Sequence, residues 1–384
     1  MSTLNETIAK SFMAMAEGLE TGQFGDKPKI ALTGMGSEHG EENAMLAAVN
    51  AARAGIDVYY IGTLTNPLVK TIKVKDDEEG HKVMEQMVDK KEVDGAVTMH
   101  FPFPIGVSTV GRSITPARGK EMFIATTTGT SSTDRIEAMI KNAIYGIITA
   151  KASGIENPTV GILNIEGAKA VEKALNELKQ GGYEFTWGES KRADGGVCLR
   201  GNDVLQGTPD ILITDSLTGN VLTKMLSAFQ TGGSFEATGY GYGPGIGEGY
   251  DKLVLIVSRA SGAPILTNAL IFAGQLVRNK VFNIAKEEFK KAKKAGLDNI
   301  LSAIKEKNKS AGASNEDVKM PPKEPVPAAI LGVEVMDLED AVKALWKEGI
   351  YAESGMGCTG PVVMMSDANE AKAREILKKA GYIS

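Results

Sequence analysis

Apolar positions along the chain switch between a helical period of about 3.6 residues and short continuous runs, and the switches predict its elements. Within residues 1–27, Ile8, Phe12, Met15 and Leu19 stand at helical spacing, which predicts an amphipathic arm that packs on the body or on a partner. From Lys29 an apolar run (KIALTGM) leads through a Gly-rich turn into an Ala-rich helix (NAMLAAVNAARAG) and a second run (IDVYYIGT), which makes one βαβ unit. VDGAVTMH, MFIATTT, PTVGILNI, ILITDS and KLVLIVS continue the strand series. Helical stretches separate them, the longest running from Pro264 to Gly296 as one piece. Apolar strands alternating with helices predict an α/β fold with a mainly parallel sheet covered on both faces. Residues 305–327, polar, charged and Pro-rich, hold too little apolar surface to pack and read as a linker. Residues 328–384 then read as a small β-α-β-β-α module that carries Cys358.

A single core stops growing at roughly 250–300 residues, so 384 residues fit a two-lobed body over 28–304 plus the module. The formal charge of −5 is spread without a basic stripe, which argues against a nucleic-acid partner. No leader pattern and no apolar run of about 18 residues occurs, so a cytoplasmic protein without membrane contact is expected. The two cysteines, Cys198 and Cys358, lie far apart, and the three histidines lack metal-ligand spacing. Neither a disulfide framework nor a metal site is expected.

In an open parallel sheet, ligands bind beyond the carboxyl ends of strands, where loops enter helices whose first N–H groups are free. The run from Ile213 to Asn220, which opens a helix containing Lys224, is the best such loop. Asp215, Thr218 and Asn220 fit either a well-capped helix or a cradle in which N–H groups, Asn220 and Lys224 hold phosphate or a developing oxyanion. Gly219 would let backbone approach that ligand. A second loop, Ser258 to Pro264, contains Ser261 and offers Arg259 as a phosphate fork or an ordinary surface cation. The loop from Gly34 to Gly40 lacks the last glycine of the dinucleotide fingerprint, so no nucleotide cofactor is expected there.

His100 closes a strand at the presumed active edge, as an acid, a base or a capped surface group, while His81, in a charged segment, reads as solvated. Alternate glycines from Thr238 to Gly247 predict a lid or a long turn instead of regular structure, and the adjacent loops favour the lid. Cys358 lies in SGMGCTGP, where flanking glycines would uncover the sulfur and free N–H groups to face an attached acyl carbonyl; a small buried thiol is the plainer alternative. Cys198 reads as a structural strand residue.

KIALTGMG with its Ala-rich helix, PTVGILNIEG, PDILITDSLTGNVLTKML and LVLIVSRASGAPILTNALIFA resemble, in order, the phosphate acyltransferases of bacterial phospholipid synthesis, which move acyl groups from acyl carrier protein to phosphate. The likeness runs from Lys29 to Lys294 and departs from that family at Gly36-Ser37-Glu38 and at Ser258-Arg259. It implies a two-lobed α/β/α sandwich of the isopropylmalate dehydrogenase and phosphate acetyltransferase kind, usually dimeric. It also implies that Asp215, Asn220 and Lys224 sit where phosphate and thioester meet, with Asn164 and Asn268 as lesser carry-overs. With SGMGCTGPVV included, the whole chain resembles the alpha subunits of component C of glycine, sarcosine and betaine reductase complexes. That resemblance implies a larger beta subunit as partner, selenoprotein A as acyl donor, Cys358 as acetyl acceptor and inorganic phosphate as second substrate, giving acetyl phosphate. A free-standing phosphate acetyl- or butyryltransferase using coenzyme A, and a non-catalytic scaffold subunit, stay open as alternatives.

Overall fold

A computed structural model describes residues 8, 9, 11–13, 15, 16, 18, 19, 27–193, 195–313, 318–333, 337–357 and 360–383. By its internal contacts the chain divides into a unit of residues 1–163 and 178–296 and a unit of residues 164–177 and 297–384.

The strands of the larger unit are, in chain order, β1 (Lys29–Thr33), β2 (Asp57–Gly62), β3 (Lys70–Lys73), β4 (Gly95–Thr98), β5 (Val107–Ile114) and β6 (Glu121–Thr130). After them come β7 (Thr159–Leu163), β8 (Thr186–Trp187), β9 (Cys198–Leu199), β10 (Ile211–Ile213), β11 (Gly243–Gly247) and β12 (Val254–Ile256). They form one sheet in the order β3-β2-β1-β4-β12-β11-β5-β6-β10-β7-β8, with β9 also on β7. The block from β3 to β12 is parallel, and so is the block from β6 to β8. Three successive antiparallel pairings, β12 to β11, β11 to β5 and β5 to β6, lie between the blocks and reverse one relative to the other. The mainly parallel α/β sheet expected from the sequence is therefore present as two opposed halves. Its central strands β4, β10 and β12 are buried throughout, as uninterrupted apolar runs require.

The helices are α1 (Glu41–Arg53), α2 (Asp77–Asp89), α3 (Arg135–Ala152), α4 (Ala168–Gln180), α5 (Gly201–Gln206), α6 (Ser216–Ala228), α7 (Ala263–Arg278), α8 (Val281–Lys294) and α9 (Leu297–Ala313). The stretch expected as one helix from Pro264 breaks at Lys280, whose φ of 52° is left-handed, into α7 and α8. α3 is buried on nearly every side and packs on β6, β10 and α8, as a helix apolar all round must.

The glycine run divides in two: residues 238–242 are irregular chain, whereas Gly243–Gly247 is regular structure. β11 is a fully buried central strand. A Cβ on Gly243 would stand 1.7 Å from the Val110 carbonyl oxygen, and one on Gly245 2.3 Å from the Phe103 ring. Its glycines admit close strand and ring approach, a use that composition alone does not separate from flexibility. For the arm, one of the two expected surfaces drops out. Ile8, Phe12, Met15 and Leu19 are exposed by 45% to 78%, so their helical stripe is not buried on the body.

In the smaller unit α9 runs to Ala313, past the Lys305 at which a linker was expected. Lys, Glu and Ala lack apolar surface but are good helix formers, and a started helix propagates at one bond per residue. Beyond it β13 (Ala328–Leu331), α10 (Leu338–Lys347), β14 (Ala352–Gly357), β15 (Gly360–Met365) and α11 (Glu370–Lys379) form an antiparallel sheet of order β13-β15-β14 with two helices. Ile330, Val342, Leu345, Val363, Met365 and Leu377 make its core, and the Trp346 indole N–H donates to the Ala352 carbonyl at 2.9 Å.

Candidate functional site

α6 leaves the carboxyl end of β10 through Asp215, its N-cap. One Asp215 oxygen accepts from the Thr218 N–H (2.9 Å) and the other from the Thr218 hydroxyl (2.9 Å) and Arg135 Nη2 (2.9 Å). The Thr218 N–H and hydroxyl are thus engaged by a carboxylate of the chain, as in an ordinary N-cap. Of the two readings that the sequence left open for this loop, the Asp215 geometry forms the helix cap. Gly219 is buried, and a Cβ there would stand 1.8 Å from the Thr126 carbonyl oxygen, so this glycine lets α6 lie close on β6 instead of admitting a ligand. Asn220 Nδ2 donates to the Thr127 carbonyl (3.1 Å), tying the helix to the same strand.

Burial opposes ionisation of Asp215, but the Thr218 donors and the Arg135 charge outweigh it and hold the carboxyl below its usual value. A carboxyl lowered on folding adds stability above its unfolded pKa that is lost as pH falls through the folded value. Asp215→Ala is therefore expected to cost about 1 kcal/mol at neutral pH, a difference that shrinks in acid; urea unfolding at both pH values measures it.

The polar chemistry lies farther along the helix. Lys224 Nζ is 2.9 Å from Glu236 Oε1 and 3.4 Å from Ser258 Oγ, with its side chain 52% exposed. The Tyr242 hydroxyl donates to the same Glu236 oxygen at 3.2 Å. Burial and then the Glu236 charge push that hydroxyl far up, so it remains a donor. Ser258 opens the loop after β12: its hydroxyl accepts from the Ala260 N–H (3.1 Å), and its own N–H donates to Ser261 Oγ (3.0 Å). Ser261 is completely buried and braces this turn through that bond. Asn268 Nδ2 donates to the Gly239 carbonyl (3.0 Å), supporting the chain ahead of β11.

β12 pairs in parallel with β4, with Ile256 opposite Thr98. The His100 ring meets the His81 ring edge-on at 6.2 Å. His81 is not solvated: its side chain is 21% exposed, with Nε2 3.4 Å from Asp77 and Nδ1 3.5 Å from the Thr98 hydroxyl. It neighbours Gly80 and stands three residues from Met84, both on the buried face of α2, which outweighs the charged composition around it. Arg259 Nη2 lies 3.8 Å from Asp77, with 56% of its side chain exposed. The loop after β12 thus holds Ser258 against the half-exposed Lys224 head, with the half-exposed Arg259 next to Ser258 in the chain, side-chain types suited to a phosphate-sized anion.

Sequence reasoning missed Glu236 and His81. Glu236 had one signal: it and Lys224 are the only charged residues between Ser216 and Gly247. Asn164 follows β7 and belongs to the smaller unit. Cys358 falls between Gly357 and Gly360, outside the described residues. Among the described residues no group of three or more His, Cys, Asp or Glu could hold a metal, and no helix is long and apolar enough to cross a membrane.

Residues 28–364 match the family described as fatty acid synthesis protein. The chain is 55% identical over 386 residues to the glycine/sarcosine/betaine reductase complex component C subunit alpha of Peptoclostridium acidaminophilum, with 100% of each chain covered. A phosphate acyltransferase of Lysinibacillus sphaericus (strain C3-41) is 25% identical over 238 residues, 52% of this chain and 70% of that one. A branched-chain phosphotransacylase structure from Enterococcus faecalis V583 aligns with 65% of this chain and 99% of its own, at 16% identity and a TM-score of 0.45. Matched over most of its length to one family, and alike from end to end to a component C alpha subunit, the chain belongs to the fatty acid synthesis protein family.

Proposed function

We propose that the chain is an acyltransferase that passes an acetyl group from a thioester to inorganic phosphate, as one subunit of a glycine reductase complex. The observation that carries this reading is the Lys224 ammonium, half-exposed yet held between a buried carboxylate and the Ser258 hydroxyl at a strand end. The likenesses to a component C alpha subunit and to a phosphate acyltransferase support the same class of reaction.

In this reading Lys224 and Arg259 take the phosphate, and the Ser258 hydroxyl donates to the oxyanion that develops on the acyl carbonyl. A phosphate oxygen attacks the carbonyl carbon; the C–O bond forms, the C–S bond breaks, and acetyl phosphate leaves with Cys358 as thiolate. In the same reading His100 takes the proton that the attacking phosphate loses and passes it to that sulfur. Cys358 enters on its glycine-flanked sequence and on the resemblance of the whole chain, and the source of the acetyl unit is the carboxymethyl selenoether of selenoprotein A, released reductively as an acetyl equivalent while the selenium of that protein is oxidised. A larger beta subunit is the expected partner. Leu217, Val221, Met225 and Phe229 leave an apolar stripe exposed along α6 and just beyond, surface of the kind that assemblies bury.

The test runs the last step backwards. Incubation of the full chain with acetyl phosphate is expected to add one acetyl group to the peptide holding Cys358, located by mass spectrometry and removed by excess phosphate. An acetyl group found only on other residues, or none at all, overturns the proposal.

A further inference from the structure

Glu236 lies between α6 and β11 and is 1% exposed. Its main chain and its side chain engage different neighbours. The Glu236 N–H donates to the Ala260 carbonyl (3.0 Å), and its carbonyl accepts from the Gly262 N–H (2.8 Å), which bridges it to the turn that carries Ser258. Oε1 accepts from the Lys224 ammonium and the Tyr242 hydroxyl, while Oε2 is buried with no partner among the described residues. Burying a carboxylate with one oxygen unsatisfied is unfavourable, and a neutral side chain of similar volume would be cheaper. Stability therefore gives no reason for a carboxylate at this position. Geometry does: one ammonium hydrogen is committed to Glu236, which leaves two to face Ser258 and an incoming anion.

We propose that Glu236 is a positioning residue for the transfer reaction: it ties the Lys224 ammonium and the Ser258 turn to one buried anchor, so that Lys224 meets the phosphate, and Ser258 the acyl carbonyl, in fixed register. This rests on the site reading above and adds to it a residue that touches neither substrate. Without the anchor a half-exposed lysine would spread over its rotamers, and phosphate binding would have to collect them again.

The test is Glu236→Gln in the full chain. It reads the phosphate dependence of acetyl transfer in the assembled complex, phosphate binding by calorimetry and thermal unfolding, with Lys224 intact and in a Lys224→Met background. With Lys224 intact, KM for phosphate is expected to rise about ten-fold while kcat changes by less than about two-fold. The unfolding midpoint should be unchanged or higher. In the Lys224→Met background the same substitution should change phosphate binding by less than about two-fold, because its route of action is gone. Should Glu236→Gln fail to fold, Glu236→Met, neutral and of similar volume, is read by the same measurements. An unchanged KM alongside a lowered unfolding midpoint marks a purely structural carboxylate and overturns the proposal. If Lys224→Met weakens phosphate binding and the Glu236 variants do not, the positioning role fails and the site reading stands; if neither position affects phosphate, both fail.

Discussion

Lys224→Met is expected to lower kcat/KM for phosphate by about 100-fold, the scale of losing one donor from a preorganised anion site. The side chain is half-exposed, so the loss is not a packing effect. Its partner complicates the result in a useful way. Glu236 would be left buried with Tyr242 as its remaining donor, and a stranded carboxylate costs about 2 kcal/mol. Lys224→Met should therefore unfold at lower urea, and adding Glu236→Gln should restore most of that stability without restoring activity. Initial rates across phosphate concentration, together with urea unfolding of both variants, separate the two effects. A well-folded Lys224→Met chain that kept its rate within about three-fold would remove this lysine from the site.

Gly243→Ala is expected to cost about 4 kcal/mol or more, close to what holds a domain folded, from backbone strain and a backbone clash added together. Gly243 has a φ of 84°, and its added Cβ would meet the Val110 carbonyl oxygen at 1.7 Å, an atom fixed in the neighbouring strand β5. β11 pairs with β12 on one side and β5 on the other, so displacing it breaks the join between the two parallel blocks. Gly249→Ala is the control, with a φ of 72° but open space around the added carbon. It should cost only about 1 kcal/mol, from strain alone. Equal losses for the two substitutions, measured by urea unfolding, would mean that the strand approach contributes nothing.

Much of this fold is written in local pattern. The runs around Ile30, Val97, Ile124, Leu212 and Leu255 are buried strands, and Asp134 and Asp215 cap the helices that follow β6 and β10. Caps and apolar runs act over three or four residues, a range that spacing along the chain records directly. The same locality made the loops after β10 and β12 findable, because strand ends that open helices recur in sequence as well as in space.

The errors have one origin. Gly243 and Gly245 resemble a flexible loop unless Val110 and Phe103 are known to lie against them, and both contacts come from distant parts of the chain. His81 resembles a solvated residue until Thr98 and His100 are brought beside it by β4. At the start of α6, type and spacing left a cap and a cradle both open; Asp215 with Thr218 and Arg135 forms the cap, and the exposed cation with a hydroxyl partner is Lys224, set by Glu236 and Ser258. Hydrophobic and capping order, which is short-ranged, determined the elements and their sequence along the chain. Which charges met, and which glycines were squeezed, was decided by sheet order and strand direction, because those pairings join residues whose separation in sequence carries no period.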